Sequence, residues 1–139
     1  MRPDETPTAQ FQRPSQRPAS VTRAITLLYI SILLGLCVTI GTTIWSLHHG
    51  ATHVAGPLTV EIIIWLVFLF FTYQIGKGAN WARLVMLILV VITVVMKLVS
   101  IGFVFSVSML IGILVVVIMV LQIWAMCHLF GKSAKPWFE

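Results

Sequence analysis

The stretch that decides the fold runs from Trp81 to Phe130: WARLVMLILVVITVVMKLVSIGFVFSVSMLIGILVVVIMVLQIWAMCHLF. Its only charged side chains are Arg83 and Lys97. As a single α-helix rising about 1.5 Å per residue it would reach roughly 75 Å, more than twice the ~30 Å of bilayer hydrocarbon. The chain must therefore turn back inside this run. Gly102 to Ser108, where a glycine and two serines gather, is the expected turn. This predicts spans over about 81–101 and 108–130.

Upstream, GKGAN (Gly76 to Asn80) holds two glycines that end a helix and an asparagine suited to cap the next. Before it lies an aromatic-rich span, Leu58 to Ile75, which Pro57 is placed to open as the first helical residue. A polar loop, HHGATHVAGP (His48 to Pro57), joins it to a first span, Ala24 to Leu47, that carries no charge and is approached through Arg23. The pattern predicts an all-α membrane protein: four transmembrane helices in an antiparallel up-down bundle, with a membrane domain over residues 23–131.

Composition agrees. Of 139 residues, 59% are hydrophobic and 9% charged, and the mean hydropathy is +1.03. A soluble domain carries about 25% charged residues, so the solvent for most of this surface is lipid. The net charge of +5 does not signal nucleic-acid binding, because the basic residues lie between apolar runs and not on one soluble face.

Residues 1–22 differ in kind. Pro3, Pro7, Pro14 and Pro18 recur among Gln, Thr, Ser and Arg, too little apolar surface to offset the entropy of ordering. A disordered cytoplasmic tail is expected, and residues 132–139 form a short tail at the other terminus. The first apolar run is too long for the core of a signal peptide.

Basic residues set the orientation. Arg2, Arg13, Arg17 and Arg23 precede the first span, Lys77 and Arg83 flank the middle loop, and Lys132 and Lys135 follow the last; Lys97 is the one remaining of nine. Both termini are therefore expected in the cytoplasm.

Few residues are candidates for function. Glu61 and Lys97 each fall about one turn inside the outer end of neighbouring spans. Intramembrane charge is expensive and points to a partner, so a Glu61–Lys97 ion pair is expected, with Thr93 and Ser100 giving the third helix a polar face beside it. Ser31, Gly35 and Thr39 in the first span, and Ser108 and Gly112 in the fourth, repeat at helical spacing as small packing positions. Gln122, deep in the fourth span, suits an interhelical hydrogen bond. His48, His49 and His53 in the outer loop, with Glu61 nearby, are a candidate Zn²⁺ or Cu²⁺ set. Tyr73, Trp81, Arg83 and Trp137 read as interfacial anchors. Cys37 and Cys127 lie at different depths, so they read as separate buried thiols and not as a disulfide.

Two segments, RPASVTRAITLLYISILLGL (Arg17 to Leu36) and IGKGANWARLVMLILVVI (Ile75 to Ile92), resemble a widespread group of small four-span bacterial inner-membrane proteins of unassigned activity. Those share a proline-rich tail leading into R-P-x-S-V-T and a G-x-N-W-A-R hairpin before the third span. The resemblance covers the tail, first span and middle loop and implies a bacterial inner-membrane location. In length alone the chain is also similar to small multidrug transporters, but the first span lacks their glutamate.

No nucleophile–base pair, phosphate-binding glycine loop or metalloprotease helix motif is present, so neither catalysis nor a cofactor is expected. The reading is an interaction protein whose partners are membrane lipid and another membrane protein or a second copy. It would serve as an accessory subunit of a membrane complex or as an immunity protein against a membrane-directed toxin. The alternative is a small oligomeric transporter or channel using Glu61 and Lys97.

Overall fold

A computed structural model describes residues 16–138; the N-terminal tail before residue 16, including Arg2 and Arg13, lies outside them. The described chain is all-helical: α1 (Ala19–His48), α2 (Ala55–Gly76), α3 (Asn80–Val107), α4 (Met109–Leu129) and a short α5 (Lys135–Phe138). The first four are long and apolar enough to cross a membrane. Each helix packs on the next and α4 closes the ring against α1, which gives an up-down bundle with α1–α4 as its most extensive interface and α2–α3 as its sparsest.

The termini and the α2–α3 turn share one end, called here the terminal end. Arg17 Nη2 donates to the Gly76 carbonyl at 2.8 Å, and its guanidinium lies 5.9 Å from the Trp137 ring. Gly78 adopts φ +83°, a left-handed conformation that glycine takes without steric cost, and Trp137 packs directly against it. Arg83 is held between Phe130 and Phe138, at 4.8 and 4.7 Å from the ring centroids. The residues after 131 are thus more than a tail: Phe138 and Ala134 are buried, and α5 closes this end of the bundle.

Burial is uneven along the bundle axis. On α2 the buried positions are Phe68, Thr72 and Ile75, and on α3 they are Ala82, Met86 and Val90, all toward the terminal end. On α1 burial continues from Val21 to Thr39, and on α4 from Gly112 to Leu129. In the most apolar stretch of α1 and of α4, 39% is buried, against 11% in α2 and in α3. The α1–α4 pair is therefore packed along most of its length, while α2 and α3 join it tightly only at the terminal end and part toward the distal end.

Several boundaries differ from the sequence reading. The turn between the last two spans is Ser108 alone, with extended backbone (φ −162°, ψ 129°), and Gly102 lies within α3. The apolar residues Phe103, Val104 and Phe105 carry the helix past the glycine. Phe105 then lies over Gly112, where any Cβ would meet its ring, and this contact allows α4 to turn back at once. Asn80 is the first residue of α3 and not its cap, and α2 begins at Ala55, two residues before Pro57. Cys37 and Cys127 are free, but both are exposed on the lipid-facing surface and not buried. Either location is apolar, so composition alone does not separate them.

Candidate functional site

The sparse α2–α3 interface leaves a slot of about 330 Å³. Glu61, Trp65 and Phe68 line it from α2, Lys97 and Thr93 from α3, and Gln122 from α4 behind them. From Glu61 to Phe68 the slot spans roughly 10 Å along the helix axis, running from the open distal half down to the start of the packed core.

Trp65 organises the slot. Its indole lies against Gly35, where a Cβ would overlap the ring, and its Nε1–H donates to Thr39 Oγ1 at 3.2 Å. The small stripe Ser31, Gly35 and Thr39 is buried as its spacing implies, and Gly35 and Thr39 form a notch for an aromatic ring on α2. Lys97 Nζ lies 5.6 Å from the centroid of the same indole, a cation–π arrangement contributing about 0.5–2 kcal/mol. Thr39, Trp65 and Lys97 thus form one chain of contacts across α1, α2 and α3.

Glu61 lies one turn before Trp65, and its charge acts on Lys97. The two do not close the direct ion pair the sequence suggested, and no carboxylate–ammonium contact of 4.0 Å or less forms between them. Parting of α2 from α3 at this level, with the Trp65 ring in place beside the ammonium, accounts for the gap. The hydroxyls flanking Lys97 are already committed: Thr93 Oγ1 donates to the Val90 carbonyl at 3.0 Å and Ser100 Oγ to the Met96 carbonyl at 2.7 Å.

Gln122 is the deepest polar group of the slot. It is 0% exposed, and neither its amide nitrogen nor its amide oxygen has a hydrogen-bond partner. The interhelical bond expected of it is not made, because its neighbours across the slot are Phe68, Ile92 and a Thr93 hydroxyl turned to its own helix. An unbonded buried amide costs about 1–3 kcal/mol, so this position is held at the expense of stability.

Glu61 also lines a second cavity of about 230 Å³ between the ends of α1 and α2, with Thr42, Thr43, Ser46 and His53. The three loop histidines do not converge. His49 Nδ1 lies 2.8 Å from the Trp45 carbonyl and its ring stacks on Trp45 at 4.1 Å, His48 borders a separate shallow depression with Ile44 and Leu47, and only His53 faces the cavity. Among the described residues no three His, Cys, Asp or Glu side chains come together as a metal ion requires.

No family model, curated protein or solved structure matches the chain. The chemistry of the site is read from its own residues. A cation, an anion and an unsatisfied amide face a mostly apolar slot, and Trp65 is the residue that holds the slot in shape. Its signal in the sequence is its place one turn from Glu61 in a span with no other tryptophan.

Proposed function

We propose that this chain is a non-catalytic protein of a bacterial inner membrane that works by lateral contact with another membrane-spanning helix, as an accessory subunit or an immunity protein does. The observation that carries the reading is Gln122, fully buried and unbonded at the back of the slot between α2 and α3. Lipid chains offer nothing to an amide, an ammonium or a carboxylate, whereas polar side chains of a neighbouring helix do. A helix about 10 Å across fills roughly 800 Å³ per 10 Å of length, so a 330 Å³ slot does not admit one whole. The partner lies along the mouth between α2 and α3 and inserts polar side chains toward Lys97 and Gln122.

Photocrosslinking residues placed at Ile64 and Met96, on the slot lining, should join a single partner of defined mass in intact membranes. One placed at Leu33, exposed on α1, should not. Equal crosslinking from all three positions, or none from the slot, overturns the reading.

Orientation with both termini in the cytoplasm is part of the proposal. Arg17, Lys77, Lys132 and Lys135 lie outside the four long helices at the terminal end, Arg23 and Arg83 lie within the first five residues of α1 and α3 there, and Lys97 lies toward the distal end of α3. A phosphatase reporter that is active only outside the cytoplasm should be silent after residue 139 and active when inserted at Thr52; the opposite pattern overturns the orientation.

A second reading, an oligomeric transporter, is favoured by the position of Glu61, which lines both the distal cavity and the slot. Glu61 thus borders both the distal cavity and the slot that reaches Gln122. If Glu61→Gln and Lys97→Met both leave the cellular phenotype intact, the transport reading fails.

A further inference from the structure

The outer surface of the α1–α4 pair carries a groove of about 360 Å³ at the terminal end, lined by Thr22, Arg23, Thr26, Leu27, Trp124 and His128. Arg23 is the fifth residue of α1 and His128 the penultimate residue of α4, so both lie within about 6 Å of their helix ends, at headgroup depth. The groove is distinct from the α2–α3 slot and shares no residue with it.

Its polar groups are one-sided. Thr22 and Thr26 donate their hydroxyl hydrogens to carbonyls of their own helix, Pro18 at 3.4 Å and Thr22 at 3.0 Å. The remaining side-chain donors are the Arg23 guanidinium, the His128 imidazole and the Trp124 indole. Arg23 makes no hydrogen bond or ion pair with any described residue, and among the described residues no carboxylate lines the groove. The His128 ring stacks on Trp124 of the same helix, centroids 6.2 Å apart and planes 16° from parallel, and Arg23 lines the groove from α1. Leu27 and the Trp124 ring supply an apolar floor on the side facing the bilayer interior.

We propose that this groove binds the phosphate of an anionic phospholipid between Arg23 and His128, with the glycerol and first acyl carbons lying on Leu27 and Trp124. The complement to a cationic, donor-rich site at headgroup depth is an anion with several acceptor oxygens. The apolar floor selects a lipid over a soluble ion. An arginine that merely reached for headgroups would not discriminate among lipids; two basic groups from different helices, set on either side of one groove, do.

The test uses the full chain in dodecyl maltoside, with binding read by native mass spectrometry and by the shift of the thermal transition. Phosphatidylglycerol, phosphatidylcholine and inorganic phosphate are added separately. Phosphatidylglycerol should bind at least fivefold more tightly than phosphatidylcholine, and inorganic phosphate should neither stabilise the protein nor displace the lipid at equal concentration. Arg23→Gln should weaken the lipid by about fivefold, the scale of one basic contact to an anionic headgroup, and His128→Gln should weaken it measurably, while Arg23→Lys retains most of the binding.

Lys132→Gln removes one positive charge at the same end, outside the groove, and should leave binding unchanged. Equal affinity for the two lipids overturns the proposal. So does an equal loss from Lys132→Gln, which would mark general surface charge. Displacement of the lipid by inorganic phosphate would make this a free-anion site and overturn the lipid assignment. Should one glutamine variant lose its helical circular dichroism, the other decides; if both do, the wild-type preference for phosphatidylglycerol over phosphatidylcholine and its resistance to inorganic phosphate decide.

Discussion

Replacing Gln122 with methionine should make the protein more stable and less able to engage its partner. The amide is 0% exposed and bonded through neither atom, so the substitution breaks no hydrogen bond. Methionine is unbranched and adaptable and refills the space without a new cavity. Relief of an unpaired buried amide is worth up to about 3 kcal/mol in a soluble protein. In a bilayer the unfolded reference also lacks water, and interhelical hydrogen bonds average about 0.6 kcal/mol. A gain of about 1 kcal/mol follows, roughly fivefold in the unfolding equilibrium.

The assay is reversible unfolding in mixed micelles, followed by circular dichroism against the mole fraction of denaturing detergent, with the slope of the transition compared between variants. In parallel, crosslinking from Ile64 should fall. A loss of 1 kcal/mol or more at unchanged slope would refute the reasoning, since it would mean that the folded protein itself satisfies the amide. Stability rising while partner contact falls is the signature of a residue kept for recognition at a cost to the fold.

Three other outcomes are expected. Gly35→Ala places a methyl group in the Trp65 ring and should destabilise by about 1–3 kcal/mol through overpacking; adding Trp65→Phe should return part of the loss, and strict additivity of the two changes would show that they do not touch. Phe138→Ala should cost about 3 kcal/mol and speed hydrogen exchange around Gly78, because Phe138 is buried beneath Arg83; wild-type stability would show that α5 does not close the bundle. Cys37, exposed midway along α1, should resist water-soluble maleimides in intact membranes, where lipid keeps the reagent from its thiol, and rapid labelling there would contradict its lipid-facing placement.

The sequence carried the helix count because the Trp81–Phe130 run is too long for one crossing and its neighbours are bounded by glycine-rich or polar turns. It also marked Ser31, Gly35 and Thr39 as a packing face, since small residues at helical spacing permit close approach whatever the partner. What packs there was not legible: that Trp65 enters the notch depends on the axial offset of α2 against α1, which no local pattern encodes.

The parting of α2 from α3 was hidden for a related reason. In lipid both the core and the surface are apolar, so residues facing inward and outward are chemically alike, and the free thiols of Cys37 and Cys127 were misplaced on the same account. The Ser108 turn was blurred because the apolar residues after Gly102 prolong α3 at no cost. Glu61, Lys97 and Gln122 stood out as intramembrane polar groups, and the structure gathers them around one slot. Their bonding did not follow from identity alone, because it depends on separations of a few ångströms between helices.

The pairing of the first helix with the last also bears on how the protein is made. The α1–α4 interface is the largest in the bundle, yet about 60 residues of chain lie between these helices, roughly 3–12 s of synthesis. During that interval α1 is in the bilayer without its principal neighbour, and the notch at Gly35 is filled first by Trp65 from α2. A chain ending before Met109 would lack the helix that makes the largest interface with α1. The largest interface of the bundle is thus the last one the chain can make.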